Sequence, residues 1–376
     1  MSLEQLTDSA REIITTLAAN NASFIPASPT DEPPIENEPA DPDRITDDIY
    51  FGDDNICETY EPVDRFNPVL NIPVGDPVRR SEDHVFRYFL DGSLKTYYWG
   101  DIAVSTASYP VLVSEIAVSV LKRDADGRMR PCRQSGSGHQ IIAIFPFTSG
   151  ILRDSLESRS LSVIKPVFLE SEPEAGRDLR SVLAAKARER LHALEADTAA
   201  YLTDRADGEW LVIDGDIRQS SFLRLKETIG LAKSFSWKPV IKVANSQYQF
   251  NLPRVIQRLR ENERTPVLRK KSGDYPSLAF WYLRFWAADR VDNYMQGVVK
   301  VEVVIEGKWD EEKAGLVSRL SRALIAEKAP VIYPERRWHS HIYPIYQAEM
   351  HVKETLFSPQ VMRQILFARG GFDISV

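Results

Sequence analysis

Two Asp-Gly pairs, far apart in the chain, each close an apolar run. The first is Asp91-Gly92-Ser93, after Val85-Phe86-Arg87-Tyr88-Phe89-Leu90. The second is Asp214-Gly215-Asp216, after Trp210-Leu211-Val212-Ile213. Each run reads as a buried strand that ends in a tight turn. An Asp at a strand end, beside a Gly that admits close approach, is a common way to hold a divalent metal. If the two strands are neighbours, two carboxylates converge on one point. That is the beginning of a metal-dependent phosphoryl-transfer site.

The chain has 376 residues, enough for one large core or two modest ones. Its 43% hydrophobic and 27% charged residues fit an ordinary soluble domain. No apolar stretch approaches the roughly 18 residues that span a bilayer. Met1-Ser2-Leu3-Glu4-Gln5 offers no basic stretch ahead of an apolar core, so no secretory signal is expected. Only Cys57 and Cys132 occur, which argues against a disulfide framework or cysteine zinc site and fits a reducing cytoplasm.

The net charge of −7 conceals segregation. Residues 1–80 carry 17 Asp/Glu against 5 Lys/Arg, whereas residues 218–272 carry 13 Lys/Arg against 3 Asp/Glu. So dense a basic stretch can supply phosphate contacts, and it can equally be a set of solvated faces. Residues 1–80 read as an acidic, Pro-rich N-terminal region, partly extended, with a helix at 4–19. A packed domain is expected over 81–376. Strands are predicted at 85–90, 94–99, 111–121, 140–146, 210–214, 265–270, 278–286 and 297–305. Helices are predicted at 175–204, near 221–231, at 253–261 and 310–327, and through 343–368. The mixture predicts an α/β domain with a mixed sheet.

Asp-Gly is also a favoured hairpin turn, so Asp91 reads equally as a turn residue. Asp214 has less of that ambiguity, because its strand is almost wholly apolar. A further ligand would come from the helix leading into that strand, which offers Glu189 and Glu195. Near the C-terminus, Tyr343 and His351 stand eight apart and share a helix if Pro344 occupies its first turn. His351 would ligate a metal or orient water, and Tyr343 would contact a phosphate or leaving group. His339 and His341 read as surface residues, with a metal clip as the alternative. The aromatics Phe280, Trp281, Tyr282, Phe285 and Trp286 read as core before they read as base-stacking groups.

In this order the motifs resemble the NurA nucleases. Asp91-Gly92-Ser93 is similar to their opening motif, and Leu211-Val212-Ile213-Asp214-Gly215 to the second, preceded by a helix with a glutamate. Gly230-Leu231-Ala232-Lys233 is similar to a Gly-x-x-Lys element, and Tyr343-Pro344 with Ala348 and His351 to the closing Tyr/His motif. The resemblance covers roughly residues 85–360. It implies an RNase H-like mixed β-sheet flanked by helices, and a DNA nuclease that uses Mn2+ or Mg2+. It implies a cytoplasmic homodimer docked on a HerA-type hexameric ATPase, in DNA-end processing or defence against phage. Asp91, Glu195 (or Glu189), Asp214, Tyr343 and His351 would be catalytic, with Asp91, Glu195, Asp214 and His351 on the metal. Lys233 would steady the scissile phosphate, and Arg254, Arg258, Arg269, Lys270 and Lys271 would track the backbone. Asp216 departs from the family pattern. The acidic N-terminal region and the Ser135-Gly136-Ser137-Gly138 loop are outside it, and the former would shield the basic groove or contact the ATPase. The alternative is a catalytically silent RNase H-like protein that binds DNA or acts as an ATPase adaptor.

Overall fold

The computed structural model describes residues 2–28, 35–36, 56–78, 84–132, 138–159, 163–174, 176–204, 208–217, 222–270, 278–328 and 338–367. The fold is mixed α/β, a large mixed sheet packed against helices. Eight strands carry the argument: β1 (Phe86–Val104), β2 (Ala107–Arg123), β3 (Gly138–Phe145), β4 (Ile164–Phe168), β5 (Trp210–Asp214), β6 (Thr228–Ala232), β7 (Leu278–Arg284) and β8 (Val298–Val304). Across the sheet they run β4-β3-β2-β1-β5-β6-β8-β7. The β1, β5 and β6 strands are mutually parallel, and β2 is antiparallel to β1. The helices are α1 (Leu3–Ala19), α2 (Ile151–Glu157), α3 (Leu179–Thr203), α4 (Leu252–Arg258), α5 (Glu311–Glu327), α6 (Tyr343–Thr355) and α7 (Pro359–Phe367).

The first Asp-Gly does not make a turn. The expected strands 85–90 and 94–99 are one 19-residue strand, β1, and Asp91-Gly92 lies inside it. The pairing with β2 runs from Tyr88↔Lys122 to Val104↔Ala107, so the hairpin turns at Ser105-Thr106, where Ser105 takes φ 53°. Asp91 pairs with Ser119 and Gly92 with Val118. On the other edge β1 changes partner along its length. Its start pairs with β5 as far as Leu90↔Ile213, its middle with Ile35–Glu36 at Thr96 and Lys95, and its end with Ser23–Pro26. Among the described residues, β1 has no strand on that edge between Asp91 and Leu94.

Two further expectations fail. The segment near 221–231 is a short 3-10 turn, Phe222–Arg224, followed by β6. Thr228-Ile229-Gly230 opens with two β-branched residues, and pairing on both sides by β5 and β8 fixes the strand. The stretch 343–368 is two helices, α6 and α7, parted by Leu356-Phe357-Ser358 ahead of Pro359. The other strands and helices lie close to expectation. Phe280, Trp281, Tyr282 and Phe285 are fully buried, as a core reading requires. No helix among the described residues is long and apolar enough to cross a membrane. Both cysteines are free, and burial pushes the Cys57 thiol up to about 12, which leaves it unreactive.

The two faces of the sheet hold different helices. Tyr88, Leu90, Ile116, Val118 and Val120 pack with Leu183, Ala187 and Leu191 of α3. Ala117 packs with Val352 and Leu356 from the α6 side. Side chains alternate along a strand, so α3 covers one face and α6 the other. Part of the segregated charge is paired within the molecule. The N-terminal strand Ile56–Thr59 lies beside Val240–Lys242 and Leu268–Lys270. Glu58 reaches Lys242 at 3.5 Å. Glu61 accepts two hydrogen bonds from the Arg264 guanidinium at 2.6 and 2.9 Å, and a third from the Val267 amide at 2.9 Å. Both partners are largely buried. Glu61→Ala, which strands a buried guanidinium, should therefore destabilise the fold by about 3 kcal/mol in urea unfolding. A change below about 1 kcal/mol would show that this contact does not anchor the N-terminal segment.

Candidate active site

Three elements carry the expected acids: β1 holds Asp91, β5 ends in Asp214 and α3 holds Glu195. Asp91 sits on β1 and is 7% exposed. Since Ile213 pairs with Leu90 in parallel register, Asp214 stands beside Asp91 as β5 ends. Gly215, with φ 115°, then turns the chain away, a conformation a side chain would strain. The Gly215 amide donates to the Leu231 carbonyl at 3.1 Å, and the Ile217 amide to Glu302 at 3.0 Å. Glu302 itself pairs with Lys300 at 2.9 Å, both fully buried. A Cβ at Gly230 would lie 2.8 Å from the Gly215 carbonyl oxygen. The loop after Asp214 is thus held from below by a glycine and from the side by an ion pair.

Glu189 and Glu195 occupy different surroundings. Glu189 is exposed and pairs with Lys186 at 2.8 Å. Glu195 is buried, in the stripe of Leu183, Ala187, Leu191 and Leu202 that packs α3 on the sheet. A Cβ at Gly92 would sit 2.2 Å from Glu195 Oε1 and 2.9 Å from Leu191 Cδ1. The glycine of the first Asp-Gly therefore serves close approach of a helical carboxylate. His192 bonds Glu195 Oε2 at 2.9 Å, and that bond, with Asp216 further off, holds the imidazole above its ordinary pKa. The acid after the second Asp-Gly thus faces the Glu195–His192 pair.

Asp91 points the other way. Its register partner Ser119 bonds His351 Nδ1 of α6 at 2.8 Å, which places Asp91 on the α6 face. There it meets Asp214, Lys233 and Glu349. Desolvation above all, then the charges of Asp214, Glu349 and Glu195, hold its carboxyl well above the ordinary 3.8, against Lys233. Glu195 contributes least of these, from the α3 face, where it packs over Gly92. Glu349 was not anticipated. It lies on α6 two residues before His351, bonds Lys353 at 2.7 Å through Oε1, and buries Oε2 without a hydrogen-bond partner. The sequence signal available was its place within the Tyr343–His351 helix. Ser119 carried no signal beyond its pairing.

Several expected roles are revised by position. Lys233 is not free to meet a phosphate: its side chain is 7% exposed and bonds Asp214 at 2.8 Å. Its ammonium also lies 3.3 Å from both ring nitrogens of His341. His339 and His341 are buried, against the surface reading, because the chain turns inward at Trp338–Ser340. His339 Nδ1 accepts from the Gly297 amide at 3.0 Å. Tyr343 opens α6, as expected with Pro344 in the first turn, and is 42% exposed. Arg269 stacks 3.4 Å above the Tyr60 ring and donates to the carbonyls of Ile305 and Gly307, a structural role. Arg254 and Arg258 are exposed on α4. The Lys270 side chain and all of Lys271 lie outside the described residues, as do Ser135, Gly136 and Ser137 of the glycine-serine loop.

The donor set is carboxylate oxygen with one imidazole, the chemistry of a hard divalent cation such as Mg2+ or Mn2+. A buried, mutually repelling set of acids and a glycine cradle under one of them fit such an ion. Among the described residues, however, no three His, Cys, Asp or Glu side chains already converge as a ligand group, and Lys233 holds Asp214. No protein-family model matches the chain, and no curated protein is significantly similar to it.

Two outcomes test this geometry. Folded Asp91 keeps its proton to higher pH than unfolded Asp91. Its contribution to stability is therefore full below about pH 4 and lost as pH rises through the raised value. In metal-free buffer, Asp91→Asn should melt higher than the native chain at pH 8, with the gap closing toward pH 4. Equal melting temperatures at both pH values would contradict the desolvated carboxyl. Gly92→Ala should cost about 1–3 kcal/mol by overpacking Glu195 and Leu191, read by chemical denaturation.

Proposed function

We propose that the chain is a metal-dependent deoxyribonuclease of the NurA type, with an RNase H-like core. The observation that carries this reading is the adjacency of Asp91 and Asp214 on two parallel strands, with the Glu195 carboxylate packed over Gly92, the residue after Asp91. The strand order β3-β2-β1-β5-β6, with β2 antiparallel and α3 entering before β5, supports the RNase H-like core. The buried Lys233 after β6 and the α6 helix bearing Tyr343 and His351 stand in the order that the resemblance requires.

Asp91 and Asp214, with Glu195 and His351 alongside, would hold Mn2+ or Mg2+. Such an ion lowers the pKa of bound water and stabilises charge on the leaving oxygen. The chain's own groups prepare the site. Lys233, 2.8 Å from Asp214, offsets the charge of the two aspartates. Ser119 fixes the His351 ring, which leaves Nε2 to take or give a proton at the reacting phosphate. Tyr343, half exposed at the head of the same helix, faces solvent where the departing strand would pass. DNA is the substrate in this reading, and a homodimer with a HerA-type hexameric ATPase in the cytoplasm is the setting.

A second reading has its own observation. With Lys233 bonded to Asp214 and no ready ligand group, the site also suits a catalytically silent protein that binds DNA or serves an ATPase as adaptor. Cleavage of single- and double-stranded DNA with Mn2+ separates the two. Asp91→Ala and Asp214→Ala should each lower the rate at least about 100-fold, as loss of several kcal/mol of charge stabilisation implies. Cleavage that persists in both variants would refute the site. A native chain that binds no Mn2+ in calorimetry would favour the adaptor.

A further inference from the structure

Away from the carboxylates lies a cavity of about 220 Å³, lined by Pro68, Val69, Leu70, Asn71, Phe250, Arg254, Val255 and Arg258. None of these residues belongs to the acid cluster. Its floor is apolar, from Leu70 and Val255. One wall is the exposed face of α4, where Arg254 and Arg258 are four apart and so project side by side. No carboxylate pairs with either guanidinium among the described residues. This is notable in a stretch whose Lys242 and Arg264 are taken by Glu58 and Glu61.

The rim is aromatic. Tyr248 and Phe250 stack with planes 13° apart. The Tyr248 hydroxyl donates to the Phe66 carbonyl at 3.4 Å, which ties this ladder to the 64–71 loop. Phe66 is 75% exposed, and the Arg65 guanidinium lies 4.7 Å above its ring. The nearby acid, Asp64, accepts from the Phe66 amide at 2.8 Å. A large aromatic ring left in water, beside arginines left without anions, wants a ligand that is both flat and anionic. The cavity is below the usual range for drug-sized ligands and of a size for one planar ring with its phosphate outside.

We propose that this cavity and its rim form an accessory site for single-stranded nucleic acid. A base stacks on the Phe66 or Phe250 face, and the flanking phosphates pair with Arg254 and Arg258. The chemistry selects an unpaired strand, since a duplex keeps its base faces covered. As a route for the strand that the catalytic site would process, the inference rests on the nuclease reading. As a binding site it does not.

The test uses the full chain in EDTA, where no cleavage can occur, with a fluorescein-labelled oligothymidylate read by anisotropy at several salt concentrations. Phe66→Ala should weaken binding at least about fivefold, with Phe66→Trp restoring it, as for loss and return of one stacked base. Arg254→Gln with Arg258→Gln should lower the slope of log affinity against log salt by about 1.4, two phosphate contacts to a single strand. Affinity and slope unchanged in these variants would overturn the proposal. So would polyglutamate competing as strongly as the oligonucleotide, since that outcome marks an acidic-peptide site. Thermal melts confirm that each variant is folded. Native DNA cleavage with Mn2+ is scored separately, so a failure of the nuclease reading is distinguishable from a failure of this site.

Discussion

Without a side chain at position 92, the carboxylate of Glu195 rests directly on the backbone of the sheet's longest strand. A Cβ there would drive α3 outward and with it the stripe of Leu183, Ala187 and Leu191 that covers one face. The same absence permits a charge to be buried in a helix stripe that is otherwise apolar. Desolvating an acid is unfavourable, and the chain meets that with His192, whose bond to Glu195 favours the protonated ring. One glycine thus links the packing of the core to the placement of the functional groups.

The second constraint is how little neutralisation the opposite face receives. Asp91, Asp214 and Glu349 share one buried ammonium, that of Lys233. Burial above all, and then the repulsion among these acids, holds the Asp91 carboxyl above its ordinary pKa. Two remedies exist for stored repulsion of this kind: a proton or a cation. The upward shift of Asp91 favours the proton where no cation is bound.

Much of this was legible in the sequence, though for reasons that partly differed. The apolar runs before Asp91 and Asp214 identified two strands, because buried parallel strands read as continuous hydrophobic segments, and their pairing came from the fold. Asp91-Gly92 was misread as a turn because Asp-Gly is locally a turn signal, and only pairing with β2 over the whole of β1 overrides it. The same tertiary override made a strand of Thr228–Ala232. The buried state of His341 could not be read from its neighbours, since the Lys233 it contacts is remote in the chain. Glu195 was recoverable: an acid in register with Ala187 and Leu191 on a helix predicts a buried charge, and Glu189 breaks that register. Glu349 and Ser119 depend on which face of the sheet α6 covers, which periodicity alone does not give.

The charge distribution completes the argument. A −12 segment and a +10 segment in one chain invite the reading that the basic one binds DNA. The fold shows a selective cancellation instead. Glu58 and Glu61 take Lys242 and Arg264, and Arg269 is given to carbonyls and a tyrosine ring. Those cations fasten the N-terminal strand across the sheet and have little left for a ligand. Cancellation of that kind leaves a pattern, because an acidic strand can reach only the bases that its register presents. Arg254 and Arg258 project from a helix, out of reach of strand pairing, and their charge remains for solvent. What the net charge blurs, the geometry separates: structural cations lie under the acidic segment, and the exposed pair lies beside exposed aromatic rings.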